Sequence, residues 1–315
     1  MTKQKKIVIA ILAFIIMTLI ILAVVSICMN PHISALCSND NNDSDNIESF
    51  TDDNAITDIE EIYDEFYSNI YDKILSDSKR NSYEVATILN ETVNNKRNTF
   101  GKKINILDAG CGTGINSNVF GTEYNTTCLD SSKDMLSVVN AKASKKMTLL
   151  QGDIKDTTLF EKETFTHIIS TYFTIYYFEN ISAIFKNFHS WLKPKGFAVI
   201  HLVDKHAFDP IVNSSSFRFT DQQKYSKKRK TNSVVVFDKF TYKSDFKLLN
   251  DTIAEFQESF QFKDGKIRNQ KQTFYMHDKK HYIDVAEKLG FNLLTILPQD
   301  LGGYAHNYLF IFQKN

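Results

Sequence analysis

The sequence predicts an α/β fold: a mostly parallel sheet covered on both faces by helices, carrying an antiparallel β insertion and preceded by an apolar span. Three observations predict it. From Ile104 to Val203, short apolar runs alternate with stretches of helical periodicity, as right-handed strand–helix–strand crossovers require. Between Asp204 and Asp278 the residues alternate as in antiparallel strands, with Asp264-Gly265 as a hairpin turn. Ahead of both, Ile7 to Met29 is apolar except for Thr18 and Ser26.

The bulk properties agree. Of 315 residues 43% are hydrophobic, and 37 basic residues balance 37 acidic ones. Once the N-terminus is set aside, one domain of roughly 250 residues with a full core remains. A neutral chain argues against a protein built mainly around nucleic acid. Cys28, Cys37, Cys111 and Cys128 show no C-x-x-C spacing, so neither a metal site nor a disulfide framework is expected.

Residues 1–6 are a short basic terminus holding Lys3, Lys5 and Lys6. The apolar run 7–29 is long enough to span a bilayer and too long for a cleaved signal peptide, so it reads as a transmembrane signal anchor. Residues 30–55 are polar and acidic (Asp40, Asp43, Asp45, Glu48, Asp52, Asp53) and read as a disordered stalk. The expectation is a single-pass membrane protein, its N-terminus cytoplasmic by the positive-inside rule. Residues 56–315 form the remaining domain.

In chain order, Thr57–Tyr71 carries a helical stripe of Ile59, Ile62, Tyr63, Phe66, Tyr67, Ile70 and Tyr71. A second helix is expected over Tyr83–Val93. Ile104 opens a strand that ends at Asp108 and breaks into Gly110, Gly112 and Gly114. Asn125–Leu129 is a strand ending at Asp130, Ser131–Ala143 a helix, and Met147–Leu150 a strand ending near Asp153. Phe165–Ser170, the helix Ile181–Leu192 and the strand Phe197–Val203 follow. The insertion is expected to hold three strands: Ser233–Asp238, Ile253–Phe262 and Lys266–Met276. The helix Lys279–Leu289 and the strands Phe291–Leu297 and Tyr308–Phe312 close the chain.

Parallel sheets bind ligands beyond the carboxyl ends of their strands. Asp108, Asp130, Asp153 and Ser170 all fall there. The Gly-x-Gly-x-Gly turn is followed by no Gly-Lys-Ser/Thr, which disfavours a phosphate-gripping loop. The rim instead suits a nucleoside bearing a cation. Asp130 is placed for ribose hydroxyls, Met135 for an adenine face and Asp153 for its exocyclic amine. Asp108 can help hold an ammonium, and Tyr67 and Tyr71 can form a lid.

ILDAGCGTG, CLDSSKDML, LLQGD, FTHIISTYFTIYYF and WLKPKGFAVIHLVD, in this order and spacing, resemble the motif series of class I S-adenosylmethionine-dependent methyltransferases. The resemblance implies a Rossmann-like seven-stranded sheet whose last strand runs antiparallel. It also implies S-adenosylmethionine as cofactor, held by Asp108, Gly110, Gly112, Gly114, Asp130, Ser131, Met135, Asp153, Ile154, Ser170, Tyr67 and Tyr71. The arrangement of anchor, stalk and domain is similar to uncharacterised proteins of giant DNA viruses.

The implied reaction is methyl transfer by in-line displacement to a small-molecule acceptor. The rival readings are a tethered non-catalytic binding module and an RNA or protein methyltransferase. No catalytic residue is obligatory, because the donor is already activated. Tyr172 and Tyr176 are candidates to face the sulfonium or an amine, and His201 is weighed as a base against a hydrogen-bonded core residue. The basic run Lys224, Lys227, Lys228, Arg229, Lys230 reads as a solvated loop or an anion contact.

Overall fold

The computed structural model describes residues 54–75, 78–210 and 228–315. The expected span 7–29 and most of the stalk lie outside the described residues. Among the described residues, no helix is long and apolar enough to cross a membrane.

Seven strands make the main sheet: β1 (Asn105–Ala109), β2 (Asn125–Asp130), β3 (Met147–Gln151), β4 (Phe165–Ser170), β5 (Leu192–Val203), β10 (Phe291–Pro298) and β11 (Asn307–Lys314). Their spatial order is β10-β11-β5-β4-β1-β2-β3. β11 runs antiparallel to both neighbours, and the other pairs are parallel, as expected. β4 is buried throughout and β5 from Gly196 onward, because helices cover both faces. β5 starts earlier than the expected Phe197. Lys195 takes φ 65° and the register against β4 slips there: Leu192 pairs with Phe165, Lys193–Gly196 bulges out, and the ladder resumes at Phe197.

The helices are α1 (Ile59–Ile62), α2 (Glu65–Leu75), α3 (Ser78–Ile88), α4 (Ile115–Glu123), α5 (Lys133–Asn140), α6 (Ile181–Trp191) and α7 (Lys279–Lys288). The single helix expected over Thr57–Tyr71 is two. The Asp64 carboxylate accepts the Tyr67 N–H at 3.0 Å and starts the second. The Arg268 guanidinium donates to the carbonyls of Glu61 and Ile62 at 3.3 and 3.0 Å and closes the first.

The insertion is a four-stranded antiparallel meander: β6 (Asn232–Val236), β7 (Phe240–Leu248), β8 (Ile253–Phe262) and β9 (Ile267–Tyr275). β7 has no counterpart in the three strands expected. Its inward residues are Phe240, Tyr242, Ser244 and Phe246, and the central Lys243-Ser244-Asp245 masks the alternation. The Asp264-Gly265 turn forms as expected, with Gly265 at φ 88°. Ile56 pairs with Gln270 at the edge of β9, so the segment entering α1 is tied to the insertion. Tyr67, Met135, Tyr242 and Phe260 form one buried cluster, which packs α1 and α2, α5 and the insertion sheet together.

Candidate active site

After β1 the chain turns through Gly110, Gly112 and Gly114, with φ of 78°, 55° and 71°. Each conformation favours glycine, but the surroundings differ. A Cβ on Gly110 would stand 2.3 Å from the Thr174 methyl, and one on Gly114 2.8 Å from Val139. A Cβ on Gly112 would meet nothing within 4 Å. The outer glycines are packed, and the middle one borders open space.

Asp130 fastens this turn to the end of β2. Its Oδ2 accepts the Gly112 N–H at 2.8 Å and its Oδ1 accepts the Ser132 N–H at 3.0 Å. A carboxylate offers about four lone-pair sites, so about two stay available to a ligand. Asp108 ends β1 at 2% exposure and accepts the Ser117 hydroxyl. Burial pushes its carboxyl up to about 7 against that hydrogen bond, and Asp130 and Glu84 add to the rise.

Beside Asp108 lies a buried polar group absent from the sequence reading. Asn116 donates to Glu84 Oε2 and to Thr171 Oγ1, each at 3.3 Å. Glu84 Oε1, Asn116 Oδ1 and Ser170 Oγ are buried with no hydrogen-bond partner. The Arg80 guanidinium lies 4.4 Å from the Tyr172 ring and 5.0 Å from that of Tyr304. Arg80 and Glu84 are four residues apart on α3, a spacing that in sequence looks like any exposed helical ion pair.

The aromatic residues divide. Tyr172 sits at the rim with φ 57°, a strained value for a non-glycine residue. Tyr71 shares its surroundings with Tyr172, Arg80 and Asp130. Tyr67 does not face the rim: its hydroxyl donates to both oxygens of Glu258, at 2.8 and 2.9 Å. Glu258 is fully buried in β8 and also accepts from Tyr242, Gln270 and Gln272. Tyr63 and Tyr177 share a hydroxyl–hydroxyl bond of 2.6 Å next to Gln272. α2 is strapped over the glycine turn by Thr113 to Asp72, and the connection from α1 to α2 by Ser132 Oγ to the Tyr63 carbonyl at 2.6 Å.

The other expected site residues have these surroundings. Met135 is 1% exposed and belongs to the buried cluster with Tyr67 and Phe260. Asp153 is exposed and bonds Lys155 through its backbone N–H and its ammonium. Ile154 is buried, its carbonyl held by Asn187 at 2.8 Å. Ser131, half-buried, accepts from Gln151 at its carbonyl. Tyr176 is a core residue whose hydroxyl accepts the Val203 N–H at 2.7 Å. His201 is buried, with Nδ1 2.9 Å from the Tyr172 carbonyl and Nε2 3.1 Å from Asn307 Oδ1. Neither ring nitrogen is open to act as a base, so His201 positions Tyr172. Arg229, read as part of a solvated run, donates to the Lys205 and Phe208 carbonyls.

No curated protein matches this chain. Solved structures share its fold. A S-adenosylmethionine-dependent methyltransferase from Clostridium acetobutylicum is 16% identical with a TM-score of 0.58, covering 79% of this chain and 98% of its own. A sugar N-methyltransferase from Streptoalloteichus is 16% identical, with a TM-score of 0.57 and coverage of 85% and 97%. An amino pentose methyltransferase from Micromonospora echinaspora is 14% identical, with a TM-score of 0.54 and coverage of 79% and 96%. Residues 106–196, from β1 to the lead-in of β5, match the family model described as Methyltransferase domain, and they include β1 to β4 of the fold shared with these structures.

Proposed function

We propose that this protein is a S-adenosylmethionine-dependent methyltransferase acting on a small-molecule acceptor. The clasp between Gly112 and Asp130 carries the reading. It leaves a positive-φ glycine bordering open space, beside a carboxylate with acceptor capacity to spare.

The residues present fit the cofactor. Asp130 suits ribose hydroxyls, and Gly112 allows a ligand to approach the backbone. Glu84 Oε1 and Asn116 Oδ1 are buried acceptors without donors, which suits an α-ammonium group. Tyr71 offers a ring face to a sulfonium, whereas the Tyr172 ring already carries the Arg80 guanidinium. When bound, the cofactor supplies a methyl group already activated by its sulfonium. The chain's own work is then to orient, to exclude water and to hold the acceptor in line. The strap of α1 and α2 supplies a cover, and the insertion sheet supplies the wall on which acceptor choice depends.

A small-molecule acceptor is favoured over RNA because Arg229 of the basic run is engaged with the Lys205 and Phe208 carbonyls. The amino pentose methyltransferase and the sugar N-methyltransferase that share the fold support the same reading. The lysine-flanked apolar run 7–29 supports a membrane-anchored location. The test is incubation of the full chain with methyl-labelled cofactor and fractionated small-molecule extract. Label in a small product supports the proposal; binding without transfer, or label only in RNA or protein, overturns it.

A further inference from the structure

We propose that the opposite edge of the sheet, at the amino ends of β1, β2 and β4, holds a binding site for a small anion bearing two or more phosphates. A cavity of about 470 Å³ opens there, lined by Lys102, Lys103, Lys146, Lys193, Glu123 and the polar side chains of Asn105, Asn125 and Thr164. Four cations face one carboxylate. That arrangement lies away from Asp108, Asp130 and Gly112, and methyl transfer leaves it unused.

Lysines do gather where helices end, because the last carbonyls and the helix dipole attract them. This accounts for Lys146, whose Nζ donates to the Glu123 carbonyl at 2.6 Å, the last of α4. It does not account for the other three. Lys102 and Lys103 lie beyond the last turn of any helix, just ahead of β1. Lys193 follows α6, but the α6 end is already served: Lys314 Nζ donates to the carbonyls of His189 and Leu192, at 2.8 Å each. Lys102, Lys103 and Lys193 form no ion pair with a described residue. Gathered around one concavity, these exposed and half-buried ammoniums set up a local positive field that an anion of two or more charges would meet.

The shape favours a compact ligand. The volume is that of a small-molecule site, and the concavity does not match a flat lipid surface. The one aromatic lining residue, Tyr124, gives no stacking platform of the kind single-stranded nucleic acid uses. Asn105 and Thr164, joined at 3.1 Å, form a polar floor.

The probe is inorganic pyrophosphate, titrated by calorimetry into the full chain at constant ionic strength. Lys102→Glu/Lys103→Glu is compared with Lys266→Glu/Lys280→Glu, an equal charge change at exposed positions elsewhere. Saturable binding, weakened about tenfold or more in the first pair and less than about twofold in the second, supports the site. Absence of saturable heat, equal weakening in both variants, or binding of RNA or phosphatidylserine vesicles without pyrophosphate overturns it. Thermal unfolding of both variants at the wild-type midpoint confirms that the comparison reads binding.

Discussion

Gly112 donates its backbone N–H to the Asp130 carboxylate at 2.8 Å, joining the turn after β1 to the end of β2. The same carboxylate takes the Ser132 N–H that opens α5, so one side chain sets both walls of the proposed ribose site. Asp130→Ala removes the acceptor for both amides and for the ligand. The expected result is a stability loss of about 1–3 kcal/mol and cofactor affinity lower by about 100-fold or more. Calorimetric titration reads the second and thermal unfolding the first. Unchanged affinity in a folded variant would sink the site assignment.

Gly110 and Gly112 predict opposite outcomes for the same substitution. Gly110→Ala drives a Cβ to within 2.3 Å of the Thr174 side chain at φ 78°, so overpacking and backbone strain each cost about 1–3 kcal/mol. Gly112→Ala meets no neighbour within 4 Å and incurs only the left-handed backbone cost, about 1–2 kcal/mol. It puts a methyl where a ligand would approach. Gly112→Ala should therefore fold and bind cofactor poorly, while Gly110→Ala should be distinctly less stable. Equal melting points would show that the two glycines have the same role.

The parallel sheet was legible because strands buried on both faces read as unbroken apolar runs, as Phe165–Ser170 and Phe197–Val203 do. The clasping role of Asp130 was legible only as a position. Its backbone partners depend on how the glycine turn folds back. Met135, Tyr67 and Tyr176 were legible as helical or aromatic residues, but periodicity does not say which apolar surface covers them. That surface is the insertion sheet and its neighbours, whose contacts are far apart in sequence. Glu258 did leave a signal: Phe256, Glu258 and Phe260 alternate, placing a carboxylate on an aromatic face of β8. Glu84 left none, since its hydrogen-bond partner Asn116 comes from another element.

Asp108 and His167 make stability depend on pH in opposite senses. Asp108 is raised to about 7, so the folded state holds a proton that the unfolded chain releases near 4. Its contribution is full below pH 4 and is lost as pH rises toward 7. Burial lowers His167 to about 4, so its contribution is present above about pH 6.5 and lost as pH falls toward 4. Asp108→Asn removes the first dependence alone. Relative to wild type, Asp108→Asn should gain stability steadily from pH 4 to 7 and plateau above. Denaturant unfolding of both proteins across that range is the check; a constant difference would show that Asp108 is not perturbed.

Glu258 holds the insertion to the strap above the glycine turn. Tyr67 comes from α2, Tyr242 from β7, and Gln270 and Gln272 from β9, and all donate to one buried carboxylate. Glu258→Leu leaves four buried donors unpaired, for a loss of about 4 kcal/mol or more. Glu258→Gln keeps the shape but turns an N–H₂ toward groups that also donate, so it should cost less than Leu and more than a surface change. Burial raises the Glu258 carboxyl against those four donors, so the folded state binds its proton more tightly than the unfolded chain. Wild-type stability relative to Glu258→Gln should thus be greatest at low pH and narrow as pH rises through the folded value. The functional consequence follows from Tyr67. Released from Glu258, α2 loses its tie to β8 while Arg268 still holds Asp64 at 2.6 Å, so the strap should loosen at its centre. Amide hydrogen exchange in Glu258→Gln should therefore quicken over residues 65–75 and leave β1 and β4 unchanged. Uniform quickening would show instead that Glu258 supports the whole domain rather than the cover of the site.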